Sequence, residues 1–392
     1  MAGKDTRVVC LGDPVTDILA HISHAYLRTI TNEPGGCIPV PAHEMEELVS
    51  SSGLECQHIR LPGGSAANVC KGLAGMAQHM RCSFIGMVGC DSTGAEYGEA
   101  LLLQGVEPAL LTSLSGSPSA TSLCLVTPDG QRTMRTCLGA SLELRSASQV
   151  ASGWISPGLR LLHCEGYNLY RPQLALAMAA SAKAVGASVS MDLASFELVR
   201  NCLPALLELL TSGSLDVIFA NEEEAMMLAS ELGLVEPGAS AEAQVAAAQT
   251  FLLQHCQVAV TSLGPRGCCA QGRDGEVGLS AACRVSVVDT IGAGDYFTAG
   301  FLSAWLQGAS LQQCSAAGCA AGSEAVQSVG AQLDPAAILR LQVSLAAIIG
   351  STTLKAAFSR VSLTAEGVES VKEKDQSVLQ SSAATVEAVM VA

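Results

Sequence analysis

Two aspartates enclose a run of small residues at Asp289-Thr290-Ile291-Gly292-Ala293-Gly294-Asp295. The run lies between a β-branched segment, Val285 to Val288, and an apolar segment opening at Tyr296. That order predicts a strand, a tight turn and a helix. Small side chains at 292–294 let backbone N–H groups and the positive end of a helix dipole converge on an anion. A transferring phosphoryl group needs such fixed donors, and a hydroxyl that attacks it in line needs a carboxylate to take its proton. Gly292, Ala293 and Gly294 are therefore candidate anion-hole residues and Asp295 the candidate base. Taken alone, the same three residues would serve equally well as a plain strand-to-helix turn.

Two other phosphate motifs are excluded. The only Gly-Lys pair is Gly3-Lys4, followed by Asp5, so there is no Walker-A loop; Phe297 stands where a dinucleotide fingerprint needs its third glycine. The net charge of −15 would repel phosphodiester backbones, and no Lys/Arg cluster overrides it, so nucleic acid is not an expected partner. The longest charge-free stretch, Tyr296 to Ser323, carries Gln307, Gln312 and Gln313 and reads as core helices, not a membrane span. No apolar leader follows Met1, and none of the 16 cysteines is spaced C-x-x-C. A soluble, cytoplasmic protein with reduced, mostly buried thiols is expected.

The elements that must position the glycine turn follow from periodicity. Arg7 to Gly12 is a short apolar strand, Asp17 to Ile22 a second leading to the active-site edge, and residues 26–60 break into turn-rich and acidic pieces. Helices are expected over Ala66–Gln78 and Thr93–Gln104, a strand over Cys82–Val88, and a hairpin over Thr121–Val126 and Gln131–Cys137. From Leu161 strands alternate with helices: Leu161–Glu165, Pro172–Val185, Ser188–Leu193, Phe196–Leu210, Asp216–Ala220, Glu222–Ser230, Ala241–His255 and Val258–Ser262. Such alternation gives an α/β fold, a doubly wound, mostly parallel central sheet with helices on both faces, whose crevice lies at the strand C-termini. One main domain over 1–348 is expected, with a small β-rich lid drawn from about 17–60 and 120–138. A flexible or weakly helical tail over 349–392 would follow.

The Asp289–Asp295 run resembles the signature D-T-x-G-A-G-D of the ribokinase-like, or PfkB, family of sugar and nucleoside kinases. Further landmarks follow in the family's order over roughly residues 7 to 340. Gly12-Asp13-Pro14-Val15-Thr16-Asp17-Ile18 is similar to the adenosine-kinase-type start, and Gly63-Gly64-Ser65-Ala66-Ala67-Asn68 to the family's first signature. Asn221-Glu222-Glu223-Glu224 resembles N-x-x-E. Ser262-Leu263-Gly264-Pro265-Arg266-Gly267 resembles the nucleotide loop, with serine where threonine is usual.

The resemblance implies an ATP-dependent kinase that transfers the γ-phosphate to a hydroxymethyl group, with Asp295 as base. It assigns sugar hydroxyls to Asp17, Gly63, Gly64 and Asn68, and ATP to Asn221, Ser262, Gly264, Gly267 and Gly322. It implies Mg²⁺ held through water near Glu224, and a monovalent cation such as K⁺ near Asp289, Ile291 and Gly330. The start motif and the long 26–60 excursion lean toward a nucleoside phosphorylated at its 5′-hydroxyl. Against a purine, no Phe, Tyr or Trp occurs between Leu27 and Ser83, although Tyr167 and Tyr170 could supply a ring. A free sugar such as ribose or fructose is the alternative, and a non-catalytic binding relative the alternative of another class. Monomer and homodimer are equally compatible with the sequence.

Overall fold

Short β-branched runs bounded by turn residues pair into two sheets. In chain order the strands are β1 (Thr6–Leu11), β2 (Thr16–His21), β3 (Cys37–Pro39), β4 (Ile59–Pro62), β5 (Met80–Val88), β6 (Val106–Thr112) and β7 (Thr121–Val126). They continue as β8 (Arg132–Cys137), β9 (Leu159–Glu165), β10 (Ser188–Asp192), β11 (Val217–Asn221), β12 (Val258–Ser262), β13 (Cys268–Gly272) and β14 (Val277–Ser280). The computed structural model describes residues 6–350 apart from 33, 35, 54, 55, 78 and 130. From residue 351 the expected tail lies outside the described residues.

The main sheet runs in the order β14-β13-β12-β11-β10-β9-β1-β5-β6. Neighbours from β6 to β12 are parallel, and β13 pairs antiparallel with both β12 and β14. Val8, Val9, Cys10 and Leu11 of β1 are fully buried, the signature of a strand covered on both faces. The chain leaves β1 for β5 and β6 on one side, returns to the other side as β9, and then winds outward. That reversal is a topological switch point, and such sheets bind ligands beyond the strand C-termini there.

The segments expected to form a lid pair into a second, five-stranded sheet, β3-β8-β7-β2-β4, in which Asp17 of β2 faces Ser122 across a parallel ladder. β2 thus belongs to the lid and not to the main sheet. The 26–60 excursion carries two helices, His24–Ile30 and Ala42–Gly53, that the turn-rich composition concealed. Ile18, Ala20, Leu27, Met45, Leu123 and Leu125 give the lid a separate small core.

Four departures from the sequence reading have physical causes. Val285–Val288 forms no strand: Val287 and Val288 are exposed, and the Val288 N–H donates to Val326 O at 2.7 Å instead of to a sheet. Context overrides β-propensity there. β6 was hidden by Pro108, which a strand tolerates only because β6 lies at the sheet edge. The helix expected over Phe196–Leu210 divides into Phe196–Asn201 and Leu203–Thr211, since Pro204 can sit only in a first turn. Finally, Pro335–Ile349 is a full helix, whose Ala337, Leu341 and Leu345 recur every four residues on the buried side.

The helix Ala293–Trp305 positions the chemistry. Phe301 packs edge-on against Phe219 of β11, with ring centroids 5.3 Å apart at 88°, and is fully buried. Burial of such a side chain is worth about 1.5–3 kcal/mol and the ring geometry about 0.5–1.5 kcal/mol more. This packing fixes the helix so that its N-terminus opens at the strand ends. Among the described residues no helix is long and apolar enough to cross a membrane.

Candidate active site

A cavity of about 380 Å³ opens at the C-terminal ends of the parallel strands. Asp295 enters it from the first turn of the helix Ala293–Trp305, whose N-cap is Gly292 at φ +75°. A side chain at 292 would meet Ala331 Cβ at 2.4 Å, so both backbone angle and space demand glycine. Asp295 Oδ1 accepts from Ser65 Oγ at 2.8 Å and Oδ2 from Asn68 Nδ2 at 2.7 Å. These two donors come from the first turns of the helix Ser65–Met76, so the first and last signatures meet around one carboxylate. Burial raises the Asp295 carboxyl above the usual carboxylate range, opposed by Asn68, Ser65 and the charge of Lys71.

Asp17 lines the same cavity from the lid. Burial pushes its carboxyl up to about 7, the charge of Lys71 opposes this, and Asp295 adds to it. Gly63 and Gly64 pass so close that no side chain fits. A Cβ on Gly63 would lie 2.0 Å from Asp17 Oδ2, and one on Gly64, at φ +90°, would lie 2.4 Å from Asp13 O. Tyr97 Oη holds Gly63 O at 2.7 Å. Below this turn, Glu165 at the end of β9 accepts the N–H of Asp13 at 2.7 Å and of Ala66 at 2.9 Å. It thereby ties β1, β9 and the helix of Ser65 and Asn68 together at the switch point. Arg171 pairs with Asp13 at 2.5 Å beside it. Gly64→Ala is expected to lower kcat/KM by at least about 10²-fold with folding retained, because a misplacement of about 1 Å is enough for that loss. Steady-state kinetics and a thermal melt on the variant check this.

The opposite wall is acidic. Asn221 caps the helix Glu222–Glu231 through a reciprocal box: its Oδ1 accepts from Glu224 N at 2.9 Å, and Glu224 Oε2 accepts from Asn221 N at 2.8 Å. Glu224 is 2% exposed, and burial together with Asp192 raises its carboxyl. Asp192, at the end of β10, is pushed up by burial and then by Asp295, and is held by Ala194 N at 2.9 Å and Thr298 Oγ1 at 3.1 Å. Ala194 sits at φ +64°, a strained angle for a residue with a side chain. Glu224 Oε1 also accepts from Asn221 Nδ2 at 2.7 Å, and among the described residues no group of three or more His, Cys, Asp or Glu is placed to hold a metal ion, so these acids fit Mg²⁺ only through intervening water.

The residues around Asp289 fit a monovalent cation poorly. Asp289 Oδ1 accepts from Ile291 N at 2.8 Å and Oδ2 from Gly330 N at 2.8 Å, and the Arg132 guanidinium closes on Oδ1. Both oxygens are taken and the charge is already neutralised by a lid arginine, whose Nη1 also donates to Thr290 Oγ1 at 3.0 Å. Arg132 therefore joins lid to anion loop. Arg132→Ala is expected to cost about 10-fold or more in kcat/KM by freeing the lid, with a smaller change in thermal stability. Kinetics paired with a melting curve would separate the two effects.

Asp17, Gly64, Asn68, Asn221, Glu224, Ser262, Ile291, Gly292, Gly294 and Asp295 all line the cavity. Gly63, Ala293, Gly264, Gly267, Gly322, Asp289 and Gly330 lie outside its lining. Gly264, at φ +58°, opens a turn with clear space around it, whereas Gly267 is required by a strand: its Cβ would lie 1.8 Å from Ser280 O. Gly322 serves helix packing: a Cβ there would lie 3.1 Å from Ala293 O. Sequence reasoning passed over Ser65, Lys71, Arg132, Met134, Asp192 and Thr298. Ser65 and Lys71 flank Asn68 on one helix, a spacing that would have singled them out. The others are isolated residues brought in by tertiary folding.

A switch-point crevice with a carboxylate at a glycine-capped helix start, roofed by a β lid, defines a ribokinase-like phosphotransferase. The chain belongs to the pfkB family of carbohydrate kinases, whose model matches residues 45–337. It is 26% identical to a ribokinase from Haemophilus influenzae over 277 residues, 69% of this chain and 82% of the relative. It is 24% identical to an adenosine kinase from Schizophyllum commune over 346 residues, 83% of this chain and 96% of the relative. Among solved structures, an adenosine kinase from Sinorhizobium meliloti superposes with a TM-score of 0.74 at 28% identity, covering 86% of this chain and 99% of its own. These likenesses place the chain in the adenosine-kinase-like branch, as an ATP-dependent sugar or nucleoside kinase.

Proposed function

We propose that the protein phosphorylates the 5′-hydroxyl of a nucleoside, with Asp295 as general base and ATP as donor. The observation that carries this reading is the single cavity faced by both Asp17 and Asp295, with Tyr167 and Met134 on the same lining. Asp17, Gly64 and Asn68 would hold the ribose edge, since a carboxylate accepts two hydrogen bonds from vicinal hydroxyls. Tyr167 would give the base an apolar face, which a free sugar does not need. Tyr170 is half exposed and outside the lining.

In the proposed mechanism the substrate hydroxymethyl lies against Asp295, whose oxygens Ser65 and Asn68 aim. Asp295 takes the proton as the oxygen attacks, and the N–H groups at 292–294 stabilise the transferring group. Mg²⁺, held near Glu224, Asn221 and Asp192, would neutralise phosphate charge. Lid closure, carried by Asp17 and Arg132, would exclude water and so suppress hydrolysis of ATP.

A free sugar is the second reading, favoured by the lid's lack of aromatic residues between Leu27 and Ser83. ADP release from Mg·ATP across nucleosides and free sugars separates the two. Nucleosides should exceed ribose and fructose by at least about 10²-fold in kcat/KM, because a site built for a group rejects analogues that lack it. The reverse ranking would establish the sugar reading.

A further inference from the structure

Lys71 is 2% exposed, one of the few lysines to leave water almost entirely. It lies three residues beyond Asn68 on the helix Ser65–Met76, hence on the same face and one turn deeper. Its Nζ donates to Pro62 O at 2.7 Å. Pro62 ends β4, pairs with Thr16 beside Asp17, and immediately precedes the Gly63–Gly64 turn. Burying an ammonium costs several kcal/mol unless charge nearby offsets it. Here the offsetting charge is that of Asp17 and Asp295, which hold the Lys71 ammonium up while burial pushes it down to about 8. Its charge in turn draws both carboxyls down. The other cations near the cavity are committed elsewhere: Arg132 to Asp289, and Arg171 to Asp13.

We propose that Lys71 is a positioning residue whose buried ammonium pins the Pro62–Gly64 turn beneath the substrate and supplies the positive charge that favours the carboxylate form of Asp295. This rests on the reading of Asp295 as the base. The titratable groups acting on these carboxylates are Asp192 of β10, Tyr97 of the helix Ser92–Leu103, Tyr296 beside Asp295, and Cys37 of β3 and Cys124 of β7 near Asp17, while Cys70 acts on Lys71 itself. None of them brings a positive charge. Without Lys71, two desolvated carboxylates would repel each other and Asp295 would hold its proton to higher pH. Activity requires the ionised form, so the acid limb of the rate profile would move upward.

The test is the pH profile of kcat/KM for wild type, Lys71→Met, Lys71→Arg and Asp295→Asn, with the best substrate of the panel. Lys71→Met should shift the acid limb up by at least about one pH unit, a loss of about tenfold below the limb, while Lys71→Arg keeps it near wild type. An unmoved limb in a folded Lys71→Met protein overturns the proposal, while persistence of the wild-type rate in Asp295→Asn overturns the base assignment itself. Should Lys71→Met not fold, coupling is read from the other side, since it is reciprocal. The ¹³Cε titration of Lys71 should move to lower pH in Asp295→Asn than in wild type, and an unchanged midpoint overturns the proposal.

Discussion

Asp295→Asn should lower kcat by at least about 10²-fold while leaving ATP affinity close to wild type. The amide keeps the shape and one acceptor for Ser65 or Asn68, but cannot take a proton, and removal of a general base costs about 10²–10⁴. Because the loss is confined to the transition state, kcat and kcat/KM should fall together. Single-turnover kinetics with ATP binding measured by calorimetry checks this. A variant that lost affinity but kept kcat would mark Asp295 as a binding group only.

The second large effect is expected at Asp17. Asp17→Ala should reduce kcat/KM by about 10²–10³, because two charge-assisted hydrogen bonds are lost at roughly 1.5–3 kcal/mol each and are only partly replaced by water. Discrimination against a substrate lacking one of the vicinal hydroxyls should shrink in the same variant, since the carboxylate that enforces it is gone. The comparison is therefore between natural and deoxy substrates on wild type and variant, and equal discrimination in both would remove Asp17 from the hydroxyl site. Asp17 also carries a stability cost. Its carboxyl is raised by burial to about 7, so its folded value exceeds its unfolded one. Folding then favours the protonated form, and this contribution is lost as pH rises through about 7. Asp17→Ala should accordingly be relatively more stable than wild type at pH 8 than at pH 5.

The sequence showed the alternating strand–helix units because each central strand is an apolar run with turn residues at its ends. It showed the glycine turn because φ +75° at Gly292 and the crowding at Gly63 and Gly64 leave no other residue possible. Asp295, Asn68 and Asn221 were legible for the same reason: each sits at a fixed offset from a turn or cap. Arg132 and Asp192 were not. Their roles arise from long-range pairing, Arg132 reaching Asp289 across the lid and Asp192 meeting Thr298 from another strand end, and neither leaves a local pattern. Periodicity failed at Val285–Val288 and at β6 because neighbours, not local preference, decide where a ladder forms. Lys71 illustrates a subtler loss: a lysine on an apolar helix reads as a surface residue until the fold encloses it.

The most direct measurement is ³¹P detection of the product formed from Mg·ATP and a nucleoside by the full chain, with Asp295→Asn run in parallel. A phosphomonoester at the hydroxymethyl position is expected, formed by wild type and suppressed at least about 10²-fold in the variant. Release of inorganic phosphate without a phosphomonoester, or equal product from both proteins, would contradict it.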